Sequence, residues 1–75
     1  MSTFVKYVPK HPGSNGVVLA AQVTPASRAG IEHDLARDGL RLDAKNAIDG
    51  VYVVRLPQAY QLVPHAVFRR EFMRL

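Results

Sequence analysis

The segment Asp49–Leu75, DGVYVVRLPQAYQLVPHAVFRREFMRL, decides how the rest of the chain is read. Val51, Val53 and Arg55 alternate with Tyr52, Val54 and Leu56, so an extended backbone sends the first set to one side of a sheet and the second to the other. Both sides are largely apolar, which places this strand inside the sheet. Gly50 precedes it and Pro57 follows it, proline being a boundary because it cannot donate to a ladder. Tyr60–Val63 reads as a short partner or edge strand. Pro64 suits the start of a helix, where its missing N–H is harmless and its φ is already right. Phe68, Phe72 and Leu75 then recur at i, i+4 and i+7 as an apolar stripe, with Arg69, Arg70 and Arg74 largely off it. The spacing predicts a closing helix through Leu75 that lies on the sheet and keeps its arginines in water.

Upstream, Thr3–Val8 alternates Phe4, Lys6 and Val8 against Val5 and Tyr7 and reads as a first strand ended by Pro9. Lys10–Gly16, KHPGSNG, is rich in turn formers, and Asn15-Gly16 is a strong local turn pair, so it reads as an exposed connection between antiparallel strands. Gly16–Val23 is the second strand. Thr24-Pro25 makes a helix entry, with Thr24 able to cap free backbone donors and Pro25 at the first helical position. Asp38-Gly39 is the stop, since glycine takes the left-handed conformation after a helix at no steric cost. Within this helix Ile31 and Leu35 share a face, and Arg28 and Glu32 are spaced to pair. Gly30 weakens its middle by about 1 kcal/mol relative to alanine, so tertiary packing must help to hold it. Leu40–Leu42 reads as a short third strand followed by a loop to Gly50.

The 75 residues support one compact domain, and a hydrophobic content of 48% argues against general disorder. A domain near this size buries only roughly 60% of the surface its unfolded chain exposes, so self-association is a natural expectation beside a monomer. The fold class that accommodates these elements is α+β: a small antiparallel or mixed sheet of four to five strands, with two helices packed on one face. No cysteine is present, so there is neither a disulfide framework nor a thiolate metal site, which fits a reducing compartment. The longest apolar run, Val17–Ala21, is far too short to span a bilayer. The expectation is a soluble, cytoplasmic protein with no membrane association.

A formal charge of +4 and a pI near 10.0 favour attraction to phosphate or to an acidic protein. The charge is uneven, because Arg55, Arg69, Arg70 and Arg74 in the tail face only Asp49 and Glu71, while Glu32, Asp34, Asp38 and Asp43 lie upstream. Those four arginines are the candidate partner-binding residues. Phe68 and Phe72 offer rings that can stack on bases, although their spacing is that of a buried stripe. An exposed tyrosine beside an arginine, from among Tyr7, Tyr52 and Tyr60, would make an interface anchor.

No reaction centre stands out. His11, His33 and His65 are not spaced to converge on a metal. Glu32, His33, Asp34 and Asp38 form the densest titratable group, but neighbouring residues on a helix point in different directions, and a solvated acidic face is the simpler reading. Ser14 and Ser27 lie in no Gly-x-Ser-x-Gly elbow, and Gly13–Gly16 lacks the Gly-Lys-Ser/Thr ending of a phosphate loop. Neither catalysis nor a cofactor is implied.

VVLAAQVTP at 17–25, the Ile31–Leu35 helix, Asp49-Gly50-Val51-Tyr52-Val53-Val54, Tyr60 and Pro64–Phe68 together resemble a group of small phage and prophage proteins. Those proteins close with a Pro-Gly-Asp-Trp-Ile-like strand, an aromatic short strand and a phenylalanine-containing helix. Here the Gly-Asp order is reversed, the tryptophan is absent and the middle is shorter. The resemblance implies a phage origin and a compact accessory protein, and brings no catalytic residues with it. The resulting expectation is a non-enzymatic protein that binds and modulates a host macromolecule with an acidic surface, for example a defence complex or the transcription machinery. The alternative is a small basic nucleic-acid-binding regulator. A monomer or a small homo-oligomer fits either.

Overall fold

A computed structural model describes residues 3–11 and 16–75. Five strands form one antiparallel sheet: β1 (Val5–Pro9), β2 (Val18–Gln22), β3 (Tyr52–Leu56), β4 (Ala59–Val63) and β5 (Phe72–Arg74), in the spatial order β4-β3-β2-β1-β5. Helix α1 (Arg28–Arg37) connects β2 to β3, and helix α2 (His65–Glu71) carries the chain from β4 at one edge to β5 at the other. This is an α+β fold. The loop read from Lys10–Gly16 falls mostly outside the described residues, and the β1–β2 pairing on either side of it is antiparallel, with Tyr7 opposite Val18.

The two helices do not share a face of the sheet. Ala21 and Val53 pack with Ile31 and Leu35 of α1, together with Phe4, Val23, Leu42 and Ala47. Ala20, Tyr52 and Val54 pack with Phe68 of α2. The period-2 alternation of β2 and β3 thus feeds two cores, and β3 is apolar on both sides because each side has its own helix.

Regular α1 begins at Arg28, three residues later than the Pro25 start that the sequence predicts, but the turn before it is held by Thr24. The Ser27 N–H donates to Thr24 Oγ1 (3.0 Å), the Thr24 N–H donates back to Ser27 Oγ (2.9 Å), and the Ser27 hydroxyl donates to the Gln22 carbonyl (2.6 Å). This reciprocal capping satisfies donors that the helix start leaves free. At the other end Gly39, at φ +76°, donates to the Ala36 carbonyl and Leu40 to the Leu35 carbonyl, the Schellman arrangement that the Asp38-Gly39 pair predicts. Gly30 has a packing reason, since a Cβ there would collide with Thr3 Oγ1 where the chain entering β1 crosses the helix. Arg28 does not pair with Glu32. Its guanidinium donates instead to the Ala47 carbonyl (2.9 Å) and to Asp49 (3.3 Å), clamping the loop before β3 to α1.

Leu40–Leu42 is loop rather than strand. Leu42 is buried and Leu40 packs against the same core, so the apolar residues that suggested a strand serve as plugs under α1. The loop is braced by Tyr60, whose hydroxyl accepts from the Asp43 N–H and donates to the Arg41 carbonyl, each at 2.8 Å. Asp43 in turn accepts from the Asn46 side-chain amide (2.7 Å) and the Lys45 N–H (3.1 Å), and these bonds, the first foremost, lower its pKa.

The largest departure from the sequence reading is at the C-terminus. α2 stops at Glu71, and Phe72 turns fully extended (φ −131°, ψ 155°). Phe72, Met73 and Arg74 lie opposite Pro9, Val8 and Tyr7, while the Lys10 N–H donates to the Glu71 carbonyl and the Leu75 N–H to the Lys6 carbonyl. Phe72 and Leu75 therefore do not extend a helical stripe with Phe68. Phe68 is 1% exposed, whereas Leu75 is 69% exposed. The bare edge of β1 offers these residues a ladder that further helix would leave empty.

Candidate partner-binding cleft

The core beneath α2 is aromatic. The Phe68 ring stacks on Tyr52 (centroids 4.0 Å apart, 9° between planes) and on Phe72 (4.8 Å), and meets Tyr7 edge-on at 4.8 Å. His65 also stacks with Tyr52, at 5.9 Å between centroids. Burial foremost, and then the adjacent Tyr7, raises the Tyr52 pKa above its ordinary value, so this phenol stays neutral across the physiological range.

Where β1, the end of α2 and β5 meet, this cluster floors a half-open cleft of about 480 Å³ lined by Tyr7, Lys10, Arg69, Phe72, Met73 and Arg74, with Tyr52 and Phe68 beneath. That is within the ordinary size range of ligand pockets. Lys10 is fixed by donation from Nζ to the Arg69 carbonyl (2.7 Å), an interaction favoured at the negative end of a helix. Glu71, the acidic residue of this region, is occupied by His11 at 2.6 Å and by Arg70 Nε at 3.5 Å. Among the described residues no carboxylate pairs with Lys10, Arg69 or Arg74. Three cations therefore surround one concavity with uncompensated charge, suited to an anionic group set against an apolar floor.

The four arginines singled out from the sequence separate into three environments. Arg69 and Arg74 meet in the cleft. Arg70 is exposed and lies outside it, beside Glu71. Arg55 is on the opposite face, where it forms an ion pair with Asp38 at the end of α1 and lies 5.1 Å above the Phe4 ring. Its charge is spent within the fold. Of the three tyrosines considered as interface anchors, Tyr7 lines the cleft opposite Arg74. Lys10 joins it without a mark in the sequence, because its membership depends on the pairing of β5 with β1. Phe68 and Tyr52, at 1% and 8% exposure, present no ring face to a nucleobase.

The remaining polar groups serve structure. Asp38 is taken by Arg55, Asp34 accepts from the Thr3 N–H (3.2 Å), and Glu32 and His33 face solvent. Among the described residues no three His, Asp or Glu side chains are placed to hold one metal ion, and no helix is long and apolar enough to cross a membrane. No protein-family model, curated protein or solved structure matches the chain.

Proposed function

We propose that this chain is a non-catalytic accessory protein that docks an acidic surface of a host macromolecule against its α2 face and alters that target by occlusion or changed assembly. The observation that carries the proposal is the convergence of Lys10, Arg69 and Arg74, none paired with a carboxylate among the described residues, on a concave site with an aromatic floor. Cations in this setting steer an acidic partner, and the half-buried rings add contact area once it has arrived. A phage or prophage origin, and hence action in the bacterial cytoplasm, rests on the sequence resemblance. The burial of Phe68 and Tyr52 favours a protein partner over nucleic acid, because sequence-tolerant binding of single strands relies on exposed aromatic platforms.

The test is capture from host lysate with the full chain as bait, comparing Arg69→Glu/Arg74→Glu with Arg37→Glu/Arg41→Glu. The two pairs change net charge equally, and only the first alters the cleft. The expected result is loss of the partner with the first bait and retention with the second. Equal retention by both would refute the cleft as the recognition surface. Loss of capture on nuclease treatment would replace the acidic protein with nucleic acid.

A further inference from the structure

We infer that β4 is a homodimerisation edge, along which a second copy of this chain adds its own β4 antiparallel, making one ten-stranded sheet. The inference is independent of the cleft's function and rests on which backbone groups β4 leaves unpaired.

The hydrogen-bond parity of the sheet fixes that set. The Val23 N–H donates to the Val51 carbonyl (2.8 Å), so Val51, and by alternation Val53 and Arg55, direct their backbone groups toward β2. Tyr52, Val54 and Leu56 therefore direct theirs toward β4, where they lie opposite Val63, Gln61 and Ala59. The two-residue Pro57-Gln58 connection agrees, because it is closed by the Leu56–Ala59 pair. The backbone N–H and C=O of Tyr60 and Leu62 then point away from the sheet, and no hydrogen bond among the described residues reaches them.

Such an edge is a template for another strand, and proteins usually guard it with charge, proline, a bulge or brevity. β4 has none of these. From Leu56 to Phe68 the chain contains no Lys, Arg, Asp or Glu, and Pro57 and Pro64 flank the strand without blocking either outward pair. The strand is also fixed in place, since it pairs with β3 along its whole length, Tyr60 and Leu62 pack into the α1 core and Val63 into the α2 core, so little ordering is left for association to supply. The opposite edge differs, because β5 spans only three residues and includes Arg74.

The outward pattern is self-complementary. On a two-fold axis through Gln61, Tyr60 exchanges both ladder bonds with Leu62 of the second copy, and Leu62 with Tyr60, while the two exposed Gln61 side chains face each other. A shift of one residue would oppose inward-directed groups and form no ladder. Because the axis stands perpendicular to the sheet, the two basic clefts open on the same side of the dimer.

Sedimentation equilibrium over a concentration series tests this with wild type, Gln61→Lys, Gln61→Glu and a 1:1 mixture of the two variants, with circular dichroism confirming that each is folded. Wild type should form a dimer. Either variant sets like charges opposite each other at the axis and should raise the dimer dissociation constant about ten-fold or more, and the mixture should recover the association as a heterodimer. Amide exchange at Tyr60 and Leu62 should slow with rising protein concentration, while Ala59, Gln61 and Val63 stay protected throughout. A wild type that remains monomeric at about 1 mM, where even weak association is populated, would overturn the inference. So would a dimer indifferent to both charges, or fast exchange at Tyr60 and Leu62 within the dimer.

Discussion

Replacing Phe68 by alanine removes the ring that joins α2 to the sheet, and the structure sets both the size of the loss and its contrast with neighbouring positions. Phe68 is 1% exposed and touches Tyr7, Tyr52 and Phe72. Truncation of a ring so enclosed costs about 3–5 kcal/mol, because the transfer energy of the ring and the cavity left behind add together. A chain of 75 residues has a net stability of roughly 4–11 kcal/mol on the usual per-residue scale, so the loss consumes a large part of it. It should lower Tm by roughly 12–40 °C, at 4–8 °C per kcal/mol for a domain of this size. Phe72, half-buried on β5, should cost about 1–2 kcal/mol when truncated, and Leu75, exposed beyond the strand, less than about 0.5 kcal/mol. Thermal and urea unfolding followed by far-UV circular dichroism measures all three. If Phe68→Ala leaves too little folded protein, leucine at both positions restores the comparison, Phe68→Leu costing about 1–2 kcal/mol and Phe72→Leu less than about 1 kcal/mol. A helix running to Leu75 would make Phe68, Phe72 and Leu75 comparable. Similar losses at Phe68 and Phe72, or a Phe68→Ala midpoint within about 5 °C of wild type, would refute the reasoning.

Gly30→Ala should gain up to about 1 kcal/mol of helix propensity only when Thr3 is also alanine, since in wild type the new Cβ meets Thr3 Oγ1; a double-mutant cycle by urea denaturation measures the coupling, and strict additivity would count against the close approach. Tyr52 has a raised pKa in the folded state, so above about pH 10 the unfolded chain releases a proton that the folded one retains, and stability falls as pH rises through that window. Below it both states are protonated and the contribution is intact. Tyr52→Phe should flatten the alkaline slope of unfolding free energy relative to wild type, and an unchanged slope would place the phenol in water.

The interior of the fold was legible from sequence where two signals agreed. β3 combined alternation with Gly50 and Pro57 as boundaries, and α1 combined the Ile31–Leu35 spacing with Thr24 at one end and Asp38-Gly39 at the other. The sidedness of the sheet is also present in the residues. A strand apolar on both faces requires cover on both, so Val53 and Val54 already called for helices on opposite sides. Leu40–Leu42 was less tractable, since two leucines separated by one residue satisfy a strand and a core-plugging loop equally, and only the position of Tyr60 distinguishes them.

The cleft depends on the one boundary that carried no local mark. Neither glycine nor proline stands between Phe68 and Leu75, and the i, i+4, i+7 spacing is satisfied by a continuous helix, so local preference and tertiary demand diverge there. The demand comes from β1, whose outer edge would otherwise leave backbone groups unpaired in the middle of the molecule's basic end, and three extended residues from the tail supply the partner. Their departure from the helix is also what makes the site. It sets Arg74 opposite Tyr7, brings the end of α2 down so that Lys10 reaches the Arg69 carbonyl, and leaves Phe72 stacked on Phe68 at the cleft wall. Tyr7 and Arg74, 67 positions apart, thereby come to share one concavity, an arrangement that helical periodicity could not encode and that β5 pairing makes unavoidable.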